Sequence, residues 1–556
     1  MIRTSHDTAR TKLGAFPCQD DFRSYGGTCN NQENADWGSY NKALKRIGSG
    51  KFDPAFLPGT NDFPADGMPN PRIVSRILFR QSSSRLSVRQ VTSMAVFWGQ
   101  FIDHDIGLTP DSGKTVFEER MDIDIVEKED PFHFRHGGKL EFARSRGVLD
   151  GKACCGIGIA ERFPRDPINL QSSFIDASHV YGCHRERLKP LRTFKDGQLR
   201  VGLTHENGEH LLPKNAVSEI GRKVENAQSS SDNHFVAGDI RANEQPVLTS
   251  LHTLFMREHN RLARMLVESF PCWQDEKVFQ YSRKIVASQI QQLTYRFFIP
   301  ALLGRRHGLR QYRGYHNNVD PSIANFFSTC AFRFGHSMVP ETLTLLETGR
   351  RAHSKSGTTL QSVFFDPSFI TEIGIEALLL GASHQVAESV DCQIVDSLQN
   401  ELFKNATGGV DLVSINIQRG RDHGIPKYND AREMYGLRRK RSFEEVTSNH
   451  TLAQILSSLY TSVNEMDSFV GGLAEDHIED SELGELFHTA VRDQFTRLRD
   501  GDRFFYKNTD WPLDMANFKP VEELNRESLT IQDIIARNSG GALRKEDFDE
   551  NVFQKA

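Results

Sequence analysis

Residues 87–106 read SVRQVTSMAVFWGQFIDHDI. Val88, Val91, Met94, Ala95, Trp98, Phe101 and Ile102 recur at spacings of three and four, the period that gathers side chains on one face of a helix. Ser87 followed by Gln90 has the form of a capping box, and Gly107 and Pro110 supply a stop. The stretch predicts a buried helix over 87–106. It ends in Asp103-His104-Asp105, where two carboxylates flank an imidazole, the side chain that moves protons near neutral pH. The plainer reading is a polar helix end whose histidine suits the dipole.

Outward from there, the same period predicts helices over 249–270 (Leu251, Leu254, Phe255, Leu262, Met265 and Leu266 on a stripe), over 283–298 ahead of Pro300, and over 323–338. Shorter amphipathic runs lie at 373–380 and 452–463. Residues up to about 75 are rich in Gly, Asn, Asp and Pro and read as loop. Strand alternation is scarce and no repeat occurs, so the expected fold is mainly α, with little β-structure. The charged runs at 438–441 and 475–485 read as solvated faces and turns.

The chain has 556 residues, 38% hydrophobic and 25% charged, a balance that excludes a disordered polymer. Net charge is −5 with histidine neutral, which gives no support to a nucleic-acid partner. No run approaches the roughly 18 apolar residues of a transmembrane helix. The start, MIRTSHDTARTKLGAF, has no apolar stretch suited to a secretory leader. Eight cysteines are compatible with disulfides, and Asn405-Ala-Thr407 and Asn449-His-Thr451 have the form of glycosylation acceptors.

Four further clusters could carry chemistry. Ser172-Ser-Phe174-Ile-Asp176-Ala-Ser178 repeats oxygen-bearing side chains at two- and four-residue spacing; in extended backbone these could face one hard cation, or be an ordinary Ser-rich strand or turn. In Asp239-Ile-Arg241-Ala-Asn-Glu244, a loop arginine and glutamate could be a surface ion pair. Arg333-Phe-Gly-His336 places a histidine within an apolar helix, where a satisfied core residue is the plain reading. Asn416-Ile-Gln-Arg419-Gly-Arg421-Asp422-His423-Gly424 could be a turn with a basic rim.

Taken in order, these blocks resemble the animal haem peroxidases. The resemblance rests on GQFIDHD (99–105), SSFIDASHVYG (172–182), AGDIRANEQPVLTSLHTLFMREHNRLA (237–263), YRFFIPALLG (295–304), FRFGH (332–336) and NIQRGRDHGIPKYN (416–429). CNNQENADWGSYNKALKR (29–46) is similar to the family's N-terminal segment. The likeness runs from about 18 to 545, which sets 1–17 apart as an extension, 18–545 as one large helical peroxidase domain and 546–556 as a tail.

The resemblance implies an enzyme that reduces hydrogen peroxide and oxidises a small donor (halide, thiocyanate, phenol or tyrosyl) through a ferryl state. It implies His104 as the distal proton shuttle, Arg241 as the charge stabiliser and Gln100 as a distal glutamine near the iron. His336 is implied as the proximal ligand of haem b, with Asn416 accepting from its other ring nitrogen, and Arg333 and Arg419 near the propionates. Asp103 and Glu244 are implied as ester links to the haem. Asp105, Ser172, Phe174 (through its carbonyl), Asp176 and Ser178 are implied as a calcium site. Cys18–Cys29 resembles the family's first disulfide, and an extracellular or secretory location is expected.

The chain also departs from that pattern. Gln245 stands where myeloperoxidase has a methionine linked to haem, so that third link is not expected. Gly107 replaces a common aspartate near a propionate. The loop between Cys155 and Ser172 is short, and the cysteines typical of the C-terminal third are missing. A matrix or adhesion protein on the same scaffold is the alternative, against which no Arg-Gly-Asp or Lys-Gly-Asp occurs. A His-Asp metal-dependent hydrolase lacks further ligands in the sequence.

Overall fold

A computed structural model describes residues 21–47, 68–111, 120–148, 166–205, 208–228, 231–404, 408–508 and 510–555. Helices dominate, and strands among these residues run for only two to four positions. The largest sheet has β3 (Asp166–Asn169) between β1 (Lys42–Ala43) and β2 (Gly147–Val148), both antiparallel to it, with Lys42 opposite Asn169 and Gly147 opposite Pro167. The expectation of a mainly α fold holds. Among the described residues no helix is long and apolar enough to cross a membrane.

Helix α1 is Ser93–Ile106, shorter than expected. The Ser87 hydroxyl instead accepts from the Val91 N–H at 3.1 Å and donates to Glu482 at 3.0 Å. Gln90 has φ 58°, and Val91 and Thr92 pair with Gln554 and Val386, so this segment is committed to bridges before the helix can begin. Met94, Ala95, Val96, Phe97, Trp98, Phe101 and Ile102 are all buried, while Gly99, Gln100 and Asp103 are only partly so.

Helix α2, Pro246–Ser269, starts three residues before the expected point. Proline suits a first helical turn, and the Gln245 side chain accepts from the Val247 N–H. Helix α3 (Asp275–Leu293) does not stop before Pro300. It widens into a π turn over Thr294–Phe298 and continues as α4 (Ile299–Leu303), where Pro300 occupies the first turn. The Trp98 indole N–H donates to Thr294 Oγ1 at 3.1 Å, fastening α1 to this wide turn. α1 packs on α2 and on α5 (Glu376–His384), and α2 packs on α3.

The helix expected over 323–338 is broken at Cys330 (φ −128°, ψ −69°), with Asn325–Thr329 helical before it and a 3-10 turn, Ala331–His336, after it. The run at 373–380 divides at Gly374, whose φ of 73° ends Pro367–Ile373 ahead of α5. The run at 452–463 is helical over His450–Leu459, where exposed Asn449 caps by accepting from the Leu452 N–H. The Asn416 block is no turn: it lies in helix α6, Leu412–Asp422, capped by Asp411. In the acidic run at 475–485, Glu475 and Glu482 are buried rather than solvated, because the Arg432 guanidinium and Tyr428 hydroxyl bind Glu475, and Ser87 binds Glu482.

Residues 546–555, set apart as a tail, pack into the core. Val552 and Phe553 are buried, and the Thr92 N–H donates to the Phe553 carbonyl at 3.0 Å. Cys29 is disulfide-bonded; its expected partner Cys18 lies outside the described residues, as do Cys154 and Cys155. Cys183, Cys272, Cys330 and Cys392 are free thiols.

Candidate active site

A cavity of about 460 Å³ is lined from one side by α1 and from another by the 331–336 turn. That volume falls within the roughly 300–1,000 Å³ of small-molecule and cofactor sites. From α1 come Val96, Gly99, Gln100, Asp103 and His104, at three-and-four spacing, with Ala95 and Phe97 beside them and Gly107 just past the helix end, while Trp98, Phe101 and Ile102 face the core. The loop before α2 adds Arg241, Glu244 and Gln245. The 3-10 turn adds Phe332, Arg333, Phe334, Gly335 and His336, and α6 adds Arg419. Sequence positions more than 200 residues apart therefore meet at one space.

His104 is buried, and its Nδ1 has no hydrogen-bond partner among the described residues. Asp239 Oδ1 lies 3.8 Å from Nδ1, and Glu244 Oε2 lies 3.9 Å from Nε2. Burial, reinforced by the Arg241 charge, holds the imidazole pKa well below its ordinary value, so the ring is neutral at physiological pH.

Arg241 is no surface pair. Its Nε and Nη2 donate to the two oxygens of Asp239 at 2.9 and 2.8 Å, and its backbone N–H donates to Asp239 Oδ1 at 2.7 Å. Nη2 also donates to the Gly107 carbonyl at 2.8 Å. Nη1 is left without a protein hydrogen bond among the described residues. Burial alone would raise the Asp239 carboxyl; the Arg241 charge and its hydrogen bonds outweigh it and hold that carboxyl far below the carboxylate range.

Gln100 Nε2 donates to Glu244 Oε2 at 2.8 Å, and Gln245 Nε2 donates to Gln100 Oε1 at 3.1 Å. Burial pushes the Glu244 carboxyl up to about 7 against the pull of Arg241. Burial likewise raises Asp103, against Arg241 and Arg333, and the Asp103 carboxyl has no hydrogen bond or ion pair among the described residues.

On the far side, Asn416 Nδ2 lies 2.8 Å from His336 Nδ1, while Asn416 Oδ1 accepts from Arg333 Nη1 at 2.8 Å. The expected contact is present, but its direction is reversed: Asn416 donates to the ring. Guanidinium has only donors, so the amide oxygen must turn to Arg333 and the amide nitrogen to His336. Burial, then the Arg333 charge, lower His336 to about 3. Arg419 lines the cavity but is engaged by protein, its Nη1 donating to Asp422 Oδ2 at 2.9 Å, Ser145 Oγ at 2.8 Å and the Ala143 carbonyl at 3.0 Å.

The oxygen-rich segment is a series of bends, with Ala177 at φ 64°, rather than extended backbone. Asp105 joins it: its Oδ2 accepts from the Asp176 and Ala177 N–H groups at 3.0 and 3.1 Å, and its Oδ1 accepts from Ser178 Oγ at 3.0 Å. Ser172 Oγ donates to Asp176 Oδ2 at 2.8 Å. Ser172, Phe174, Asp176 and Ser178 are all buried beside Asp105. Among the described residues no three His, Cys, Asp or Glu side chains group as a metal site, so any cation here would need hydroxyl and carbonyl oxygens besides the Asp105 and Asp176 carboxylates.

The sequence alone reveals no role for Asp239, the residue that fixes Arg241, or for Gly238, which lets this loop lie against the 178–182 backbone. A Cβ on Gly238 would fall 2.4 Å from the Gly182 nitrogen. The signal was the Gly-Asp pair two residues before a functional arginine.

A family model described as animal haem peroxidase matches residues 22–553. Peroxinectin A of Dictyostelium discoideum is 35% identical over 98% of this chain and 98% of its own length. Thyroid peroxidase of Sus scrofa is 34% identical over 93% of this chain, which spans 59% of that larger protein. The solved structure of Peroxidase A from Dictyostelium discoideum superposes with a TM-score of 0.82 at 32% identity, covering 97% of this chain and 100% of that one.

Proposed function

The chain belongs to the animal haem peroxidase family, and from that premise we propose how its own residues reduce hydrogen peroxide at the expense of a small donor. It is a haem-dependent oxidoreductase of the peroxidase type. The cavity suits the cofactor. Three imidazoles (His104, His336 and His423), three guanidinium groups and several phenyl rings line one space, and among the described residues His104 Nδ1 is a buried polar atom without a hydrogen bond. Bound haem supplies a redox-active iron that takes oxidising equivalents from peroxide and passes them to a donor.

His104, neutral and held next to that space, takes the proton from one peroxide oxygen and returns it to the other. Arg241, fixed by Asp239, offers Nη1 to the negative charge that develops on the departing oxygen. Because Asp239 already occupies Nε and Nη2, the guanidinium needs no reorganisation when that charge appears. Gln100 holds water or a small anion beside Glu244. His336 would ligate iron through Nε2. A propionate at Arg333 would release Asn416 Oδ1 to accept from Nδ1–H, leaving Nε2 its lone pair. Arg419, anchored by Asp422, would add positive charge on that side.

Asp103 and Glu244 would form ester links to the haem. Support comes from their place on the cavity and from carboxyl groups raised toward the neutral form. Acid–acetone should leave pigment on the wild-type polypeptide and extract it from an Asp103→Asn, Glu244→Gln double variant; extraction from both would refute the links. Asp105, Ser172, the Phe174 carbonyl, Asp176 and Ser178 would bind calcium. Burial and the neighbouring Asp105 charge push Asp176 up to about 6, a repulsion that a divalent cation would relieve. Metal analysis of purified protein should find calcium, and loss of Asp105 and Asp176 should remove it. The setting we propose is extracellular.

One observation carries the reading: His104, Arg241 and His336, from three distant blocks, line a single cavity. With haem bound, His104→Ala should slow the reaction with peroxide by roughly 10²–10⁴-fold. Unchanged turnover would remove the role given to His104.

A further inference from the structure

The cavity wall leads into a file of aromatic rings. Phe332 lines the cavity, and its ring centroid lies 5.6 Å from that of Phe495. Phe495 lies 6.2 Å from Tyr295, Tyr295 lies 5.2 Å from Phe505, and Phe505 lies 4.7 Å from Tyr506. The Tyr295 hydroxyl donates to the Phe495 carbonyl at 2.9 Å, tying two members together. Tyr506 lies just under the surface, 7% exposed, with Lys507 and Asn508 exposed beside it.

The last ring is held differently from the others. Its hydroxyl donates to Glu527 Oε1 at 2.6 Å. Glu527 is partly solvated and pairs with Lys507 Nζ at 2.6 Å. Its φ is 51°, a left-handed conformation that a long side chain adopts only when its surroundings hold it there. Core packing accounts for the rings. It does not account for a carboxylate fixed on the phenol of the last one. Burial and the Glu527 charge keep that phenol in its neutral form, so its proton must leave together with an electron.

Resting on the peroxidase reading above, we propose that Tyr506 is a second oxidation site, serving phenols carried on macromolecules too large to enter the cavity. Electron transfer weakens steeply with distance, and the intervening rings divide the gap into short contacts. Peroxide leaves oxidising equivalents at the cavity. One is filled by an electron from Tyr506, relayed past Phe505, Tyr295, Phe495 and Phe332. The Tyr506 O–H bond breaks in the same event and its proton passes to Glu527, leaving a neutral tyrosyl radical. The donor phenol then gives one electron to that radical, Glu527 returns its proton to the Tyr506 oxygen, and the donor's phenolic proton passes to water. Two such cycles reduce one hydrogen peroxide to two waters and leave two phenoxyl radicals on the donor.

The test uses haem-loaded full-length protein, hydrogen peroxide, free tyramine and tyramine coupled to dextran. Wild type should oxidise both, and a spin-trap adduct should map to Tyr506. Tyr506→Phe should keep the free-tyramine rate while losing the dextran-linked reaction and the adduct. Glu527→Gln, a change at a partly solvated residue that should leave folding intact, should slow the dextran-linked reaction by roughly a hundredfold with free tyramine unaffected. Oxidation of dextran-linked tyramine by Tyr506→Phe at the wild-type rate would overturn the proposal. So would wild type that oxidises free tyramine but neither the linked form nor Tyr506, and that outcome would leave the peroxidase reading standing. Failure of wild type on free tyramine would overturn both.

Discussion

Asp239 decides what Arg241 can do. Its carboxylate occupies two edges of the guanidinium and its backbone N–H, so the remaining arm is set before peroxide arrives. Asp239→Asn keeps the shape but removes the charge from a buried pair. Stability should fall by about 3 kcal/mol, read from denaturant midpoints, and the reaction with peroxide should slow roughly a hundredfold in stopped flow. If neither changes, Arg241 does not depend on Asp239. His104, Arg241 and His336 were legible in the sequence because each sits in a distinctive short block. Asp239 was not, since an aspartate two residues from an arginine in a loop reads as a solvated pair until its burial is known. The direction of the Asn416–His336 bond was equally hidden, because it depends on Arg333, which lies 83 positions away.

Among elements, periodicity located the long helices but missed where neighbours interrupt them. Residues 87–92 have helical spacing yet are taken by bridges to 386 and 554, and the 323–338 run breaks at Cys330 so that His336 sits on a 3-10 turn. Neither competitor is local. The loop ahead of α2 shows how closely two elements share a position: a Gly238 Cβ would meet the Gly182 nitrogen at 2.4 Å and the Ser178 carbonyl oxygen at 2.5 Å. Backbone on both sides cannot yield cheaply. Gly238→Ala should therefore destabilise by about 1–3 kcal/mol and should displace Arg241 and the 178–182 segment together. Urea unfolding and the peroxide reaction rate should both worsen; normal kinetics at lowered stability would show that the two loops are not coupled.

At the scale of the molecule, the C-terminal segment closes the core over the start of α1. Phe553 is 1% exposed and packs 5.6 Å from Trp98 and 6.4 Å from Phe298, whose ring in turn lines the cavity. Sequence gave no sign of this, because the contact spans almost the whole chain. Phe553→Ala should cost about 3–5 kcal/mol, visible as an earlier thermal midpoint; an unchanged midpoint would mean that the segment is only laid on the surface. Of the three histidines that line the cavity, His336, and neither His104 nor His423, is assigned to the iron. Resonance Raman spectra of the ferrous haem-loaded protein should show an iron–imidazole stretch in wild type and in His104→Ala. In His336→Ala it should vanish and return with added imidazole. Loss of that stretch in His104→Ala, with its retention in His336→Ala, would contradict the assignment.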